Sequence, residues 1–413
     1  MVTGVETRRS RSRITLVWCF TLLTLSAVIT PVLGVRASEG EAERVGPWNP
    51  TELRQVPEYE WGETVEGIRQ VYYRSEPYQG RPTRVFAWYG CPENGERPLP
   101  GIVLVHGGGG KAFREWVQLW VQRGYAAIAM DLAGCGPDGQ RLPDGGPGQS
   151  DVEKFAPFDD ASVGRMWTYH AIAAVVRAHS FLAAQEEVDP RRIAVTGISW
   201  GGYLTCIAAG VDDRFAAAVP VYGCGFLHED SVWLKTFQAM DPELRERWIR
   251  TFDPSRYLGR VKCPIFFLNG TNDFAYPLDS YRKSFDLVPG RKFIRIEVRM
   301  KHSHPDGWAP KEIGWFVDSV LRGGEPLPEL GELRLESGRV SAEVRSVVPP
   351  VSAGLHYTRD DGPWQERNWI SEPARIDGGR VVADVPTGPV RAMFLSVTDA
   401  RGAMVSTSWV EGP

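Results

Sequence analysis

Between residues 101 and 321 the chain alternates short, continuously apolar runs with longer segments of helical period. No other feature limits its possible folds as tightly. The runs "GIVLVHG" (101–107) and "YAAIAMD" (125–131) are almost wholly apolar and read as strands covered on both faces. "RIAVTG" (192–197), "FAAAVPVYG" (215–223), "CPIFFLNG" (263–270) and "KFIRIEVRM" (292–300) read as further strands. "AFREWVQLWVQRG" (112–124), "VGRMWTYHAIAAVVRAHSFLAAQ" (163–185) and "PKEIGWFVDSVL" (310–321) read as helices, and "DPRR" (189–192) as a turn. Strand–helix–strand text joins parallel neighbours through right-handed crossovers. The expected fold class is α/β, a doubly wound and mostly parallel sheet. Two strand-like runs, "IRQVYY" and "TRVFAWY", precede it. The loop 134–161, dense in Gly, Pro and Asp, is too long for a plain connector.

Other stretches depart from this texture. Residues 224–261 hold helical text rich in Trp and Phe, expected to form a small cap over the carboxyl end of the sheet; a long crossover helix is the other reading. Beyond residue 327 the helical period disappears. Short alternating runs such as "RVSAEV", "AGLHYT", "RVVADV" and "RAMFLSVTD" are split by turn signals. They predict a compact all-β sandwich of immunoglobulin or fibronectin type. Trp364 and Trp369 in it are either core residues or weak glycan contacts. At the other end, "RRSRSR" (8–13) precedes an apolar run (14–34) and small residues, the pattern of an export signal. The run is long enough that an uncleaved membrane anchor is the alternative. The expected organisation is a signal over 1–37, an α/β domain over 38–327 and a β-sandwich over 328–413.

Charge and cysteine content exclude several function classes. A net charge of -4 over 413 residues shows no basic footprint for nucleic acid. With Cys19 in the signal, Cys91, Cys135, Cys206, Cys224 and Cys263 remain, an odd and widely spaced set that is no disulfide framework. Cys206 and Cys224 read as small core residues, and one bridge is conceivable without being assignable. No Cys or His spacing suits zinc, so neither a metal nor any other cofactor is expected.

"VTGISWGGY" (195–203) places Ser199 between glycines where a strand gives way to a helix. A serine nucleophile must stand clear of its surroundings on a sharp turn. The turn packs backbone so closely that the flanking positions must be small, here Gly197 and Gly201 with Gly202 beyond. A lone serine does not ionise near neutral pH, so it needs a base and an acid that orients the base. "FFLNGTNDFAYP" supplies Asp273 after a buried strand, and "IEVRMKHSHPDGW" supplies His302 and His304 after the last strand. His302 lies nearer the strand end and is the favoured base, with His304 the alternative. His170, His179, His228 and His356 read as structural.

"VLVHGGGG" (103–110) offers unshielded backbone N–H groups that can close around a developing oxyanion. The expected donors are Trp200, the residue after the serine, with Gly108 and Gly109. No Lys-Ser/Thr pair makes this a phosphate loop. His106 reads as holding the loop's shape.

Together "HGGGG", "GISWGGY", "GTNDFAYP" and "KHSH" resemble the α/β-hydrolase superfamily. Within it they resemble the prolyl-oligopeptidase-like and dienelactone-hydrolase-like esterases, including acetyl xylan esterases. The resemblance spans residues 68–321 and implies an exported serine hydrolase. Its triad would be Ser199, Asp273 and His302, and its substrate a small ester or an acylated polysaccharide. A serine peptidase of the prolyl-oligopeptidase type and an inactive glycan-binding protein are the alternatives. The stretch before residue 68 is far shorter than the propeller such peptidases carry, a departure that counts against peptidase activity.

Overall fold

The computed structural model describes residues 44–412, which belong to one compact unit. The expected signal over 1–37 lies outside the described residues. Among those residues no helix is long and apolar enough to cross a membrane.

After a single turn, α1 (Pro50–Leu53), the chain lays down β1 (Tyr59–Val65), β2 (Ile68–Tyr78) and β3 (Arg81–Gly90) as antiparallel neighbours. The wound part follows: β4 (Leu99–Val105), α2 (Arg114–Gln122), β5 (Ala126–Met130), the turn α3 (Asp151–Lys154), α4 (Trp167–Ala183), β6 (Val188–Ile198), α5 (Trp200–Val211) and β7 (Ala217–Val221). Next come α6 (Leu234–Ala239), α7 (Pro242–Phe252), β8 (Ile265–Gly270), α8 (Leu278–Asp286), β9 (Lys292–Glu297), α9 (His304–Trp308) and α10 (Lys311–Leu321). The sheet order is β1-β2-β3-β5-β4-β6-β7-β8-β9, and every pair from β5 to β9 along that order is parallel.

The winding explains the apolar text. Every residue of β4, β5, β7 and β8 is buried, because helices cover both faces. All of α5 is buried too, which is why its sequence carries no polar face. From β4 the chain steps first to β5 on one side and then to β6 on the other. The carboxyl ends of β4 and β6 therefore flank the crevice where the winding reverses, the usual ligand position in such sheets.

"DPRR" is not a separate turn. It lies inside β6, where Asp189 accepts from the Arg191 N–H at 3.0 Å and from Arg192 Nε at 2.9 Å. Turn chemistry survives there as an irregularity in the β4–β6 register between Leu99 and Gly101. The last parallel strand also ends early, at Glu297, since Arg299 turns the chain with φ +60°.

The remaining chain is entirely antiparallel: β10 (Glu329–Leu330), β11 (Arg334–Glu336), β12 (Arg339–Arg345), β13 (Pro350–Thr358), β14 (Trp369–Asp377), β15 (Arg380–Asp384), β16 (Ala392–Asp399), β17 (Met404–Ser406) and β18 (Val410–Glu411). Residues 369–374 of β14 pair with β13, and residues 375–377 pair with β15, so this strand carries the sheet around a corner. Trp364 and Trp369 are 8% and 6% exposed, and Trp364 packs on Trp409 at 4.6 Å. Their burial agrees with the reading of these two as core residues. Among the described residues all five cysteines are free.

Candidate active site

β6 ends at Ile198 and α5 starts at Trp200, leaving Ser199 alone to turn the chain. It does so at φ +60° and ψ -119°, a conformation that costs a residue with a Cβ about 1–3 kcal/mol. The packing around it holds the strain in place. A Cβ on Gly201 would strike the Val105 carbonyl, and one on Gly197 would strike the Gly201 carbonyl. The flanking glycines thus let α5 meet β4 and β6 backbone to backbone.

Asp273 leaves the end of β8 and is 2% exposed. Its Oδ1 accepts from the backbone N–H of Ala275 at 2.9 Å and of Tyr276 at 2.8 Å, and its Oδ2 meets His302 Nδ1 at 2.6 Å. The imidazole of His302 stacks on Tyr222 at 4.2 Å and is covered by Phe274 at 4.8 Å. Tyr222 itself sits at φ +63° just after β7, its hydroxyl donating to the Lys301 carbonyl at 2.7 Å. Ser199, Trp200, Gly108, Gly109, His302 and His304 all line one cleft of about 560 Å³.

The two late histidines have different partners. His304 makes no contact with Asp273; its Nε2 accepts the Gly107 N–H at 2.9 Å. Burial, followed by the nearby His106 and His302, lowers its pKa to about 4, so it is neutral. His106 bonds the Gly107 carbonyl through Nδ1 at 2.8 Å and accepts the Leu132 N–H at Nε2 at 3.0 Å. Both partners place the proton on Nδ1. Gly107 is therefore held from both sides, and its N–H is taken. Among the described residues the N–H groups of Gly108, Gly109 and Trp200 enter no backbone hydrogen bond, and a Cβ on Gly108 would lie 2.8 Å from Trp200 Cδ1. Amides left free on the cleft that a half-buried serine also lines can stabilise a developing oxyanion. Among the described residues no three His, Cys, Asp or Glu side chains gather as metal ligands would.

Sequence reasoning missed three neighbours of this site. Lys154 lies on the cleft wall with its ammonium 4.7 Å from the Trp200 ring. The signal for the turn that carries it was the Ser150–Glu153 capping box, which is short and set in Gly/Pro-rich text. Trp233, from the Trp-rich segment after β7, packs on Trp200 at 4.5 Å and reaches the cleft. Asn272, adjacent to the acid, donates through Nδ2 to the carbonyls of Gln365 at 3.1 Å and Arg367 at 2.8 Å. The antiparallel part of the chain also touches β9, where Ser406 Oγ accepts the Ile296 N–H at 2.9 Å.

The model of the acetyl xylan esterase family (AXE1) matches residues 59–257, a span that includes Ser199 and stops short of Asp273 and His302. The chain is 26% identical over 211 residues to the uncharacterized peptidase YuxL of Bacillus subtilis (strain 168), which is 46% of this chain and 28% of that protein. It is 25% identical over 141 residues to the acetyl esterase Axe7A of Xylanibacter ruminicola, 32% of either chain. The match thus spans less than a third of the length of these curated relatives. Among solved structures, the acetyl xylan esterase from Paenibacillus sp. R4 superposes with a TM-score of 0.54 at 24% identity, over 66% of this chain and 92% of that one. Acetyl xylan esterase 1 from Thermoanaerobacterium sp. JW/SL YS485 gives 0.52 at 19% identity, over 65% and 92%. Both likenesses are likenesses of fold.

Proposed function

We propose that this chain, which has the α/β-hydrolase fold, is a member of that superfamily: an exported serine hydrolase cleaving carboxylic esters of the acetyl xylan type. The observation that carries this reading is the 2.6 Å contact between Asp273 and His302 on the wall of the cleft that Ser199 enters. The family model over residues 59–257 supports an acetyl ester as the substrate. Export rests on the basic and apolar text of residues 8–37.

Asp273 keeps the proton of His302 on Nδ1, which leaves Nε2 free to act as base. His302 takes the Ser199 proton as Oγ attacks the ester carbonyl. The oxygen that becomes negative is received by the N–H groups of Trp200 and of Gly108 or Gly109, where one lost donor costs about 3–4 kcal/mol of transition-state stabilisation. His302 returns its proton to the leaving alcohol. Water repeats the sequence on the acyl-enzyme and releases the acid.

The test is hydrolysis of p-nitrophenyl acetate and acetylated xylan, with fluorophosphonate labelling of the protein. Wild type is expected to release acetate and take the label, and Ser199→Ala to do neither. An alanine variant as active as wild type overturns the assignment. The match to YuxL raises a peptidase as the second reading. An aminoacyl amide cleaved faster than the acetyl ester would establish it.

A further inference from the structure

Residues 107–110 are four glycines in a row. Such a segment has no side chain to fix its own shape, and glycine has the widest backbone freedom of any residue. Oxyanion donors help only when they are already aimed at the place where charge develops. The segment must therefore be held from outside.

Three side chains hold it. Gln149 Nε2 donates to the Gly110 carbonyl at 3.0 Å. His106 Nδ1 donates to the Gly107 carbonyl at 2.8 Å, and that carbonyl also accepts the Gly110 N–H at 3.1 Å. His304 Nε2 accepts the Gly107 N–H at 2.9 Å. A peptide unit is planar and trans, so the Gly108 N–H points opposite to the Gly107 carbonyl. Bonds on both the N–H and the carbonyl of Gly107 fix the peptide planes on its two sides. They thereby fix its φ and ψ, and with them the direction of the Gly108 N–H. The approach is close. A Cβ on Gly110 would lie 2.8 Å from His106 Nδ1 and from His304 Nε2, and one on Gly107 would lie 2.9 Å from Ser199 Cβ and 3.3 Å from His304 Nε2. His304 thus grips the segment where it passes the serine.

His304 opens α9, two residues beyond His302, and the N-cap of that helix, Ser303, accepts the Asp306 N–H at 3.0 Å. Its ring packs on Phe113 at 4.7 Å, and Phe113 packs on Trp308 at 5.4 Å, so both ends of α9 lock the imidazole. We infer that His304 is the positioning residue of the oxyanion loop: by accepting the Gly107 N–H it aims the Gly108 N–H at the developing oxyanion. This rests on the serine-hydrolase reading above. His304 moves no proton and touches no reacting atom. Acylation and deacylation both pass through an oxyanion, so the bond serves both half-reactions alike.

The experiment compares full-length wild type, His304→Phe, His304→Ala and His304→Gln on p-nitrophenyl acetate. It follows kcat, KM, the pre-steady-state burst rate, inhibition by a trifluoromethyl ketone, whose adduct with the serine carries an oxyanion, and the thermal midpoint. Phe and Ala remove the acceptor, Phe while keeping a ring on Phe113; Gln returns an acceptor, its Oε1, close to where Nε2 stood. The Phe and Ala variants are expected to lose roughly tenfold to a hundredfold in kcat and in burst rate, with KM within about twofold of wild type. The ketone should bind more weakly by a similar factor. The Gln variant should recover to within about threefold of wild type. An acceptor-less variant that keeps its kcat overturns the inference, as does a Gln variant no better than the Phe one, or a loss confined to KM. So does inactivation of all three to the level of His302→Ala, which would make His304 the base. Failure of both the Phe and the Ala variant to fold also overturns it, because the bond would then be structural. A wild type that neither turns over the ester nor takes a fluorophosphonate label defeats the hydrolase reading itself, a result separate from any behaviour of the variants.

Discussion

Asp273 and His302 meet through a single contact, Oδ2 to Nδ1 at 2.6 Å, while two backbone N–H groups hold the acid's other oxygen. This division fixes what Asp273→Asn will do. The N–H groups of Ala275 and Tyr276 demand an acceptor, so the asparagine oxygen must turn to them and its NH₂ must face His302. An NH₂ donating to Nδ1 forces the ring proton onto Nε2, where it blocks removal of the Ser199 proton. With shape and packing kept, kcat/KM on p-nitrophenyl acetate should fall on the order of 10⁴-fold with little change in melting temperature. Activity within tenfold of wild type would remove Asp273 from the mechanism.

His106 predicts a pH dependence of stability. Burial lowers its pKa to about 4, against about 6.5 in an unfolded chain. Its folded value is depressed, so the unfolded state takes the proton first. Stability is fully present above pH 6.5 and is lost as pH falls toward 4, with about 2 kcal/mol gone by pH 5. His106→Asn carries no such group. The stability gap between wild type and variant, read from urea melts, should therefore shrink by about 2 kcal/mol between pH 7 and pH 5. A gap independent of pH would mean that this imidazole titrates normally in the fold.

What was legible in the sequence was whatever one element determines alone. The continuous apolar runs announced β4, β5, β7 and β8, because burial on both faces is a local demand on composition. Ser199, Asp273 and His302 each stand just beyond a strand end, so strand ends pointed to all three. Illegible was whatever depends on contact between distant segments. Nothing near His304 shows that its partner is the Gly107 amide, 197 residues away. Nothing near Tyr222 shows that it carries the ring of His302. β14 has no alternating text because residues 371–375 hold Ser, Glu and Arg around a proline and an alanine, and its place is set by pairing with β13 and β15.

Asn272 links the acid loop to the antiparallel part of the chain through the carbonyls of Gln365 and Arg367. Asn272→Ala removes these bonds, with the longer one to the Trp364 carbonyl at 3.4 Å and the one accepted from Thr271 Oγ1 at 2.7 Å, and should cost about 1–3 kcal/mol in chemical denaturation, with a few-fold loss of kcat as the neighbouring Asp273 loosens. Asn272→Asp should be worse at pH 7, since it turns a carboxylate toward those carbonyl oxygens. An aspartate variant as stable as the alanine one would show that this contact does not order the loop.

Lys154 brings a buried positive charge to the cleft. Its side chain is 4% exposed, its ammonium lies over Trp200 at 4.7 Å and Trp167 at 5.3 Å, and its carboxylate partner among the described residues, Asp151 at 3.3 Å, is 61% exposed. Burial lowers the pKa of this lysine, a sign that its charge is incompletely compensated. Lys154→Met keeps most of the volume and removes the desolvated charge, so thermal stability should hold or rise. Turnover of neutral p-nitrophenyl acetate should change by less than about threefold. A p-nitrophenyl ester with a carboxylate at the end of its acyl chain should lose about tenfold in kcat/KM, since attraction at 4 Å amounts to ~1–4 kcal/mol between water and a protein surface. Equal losses on the two esters would mean that Lys154 packs against the tryptophans without reading the charge of the substrate.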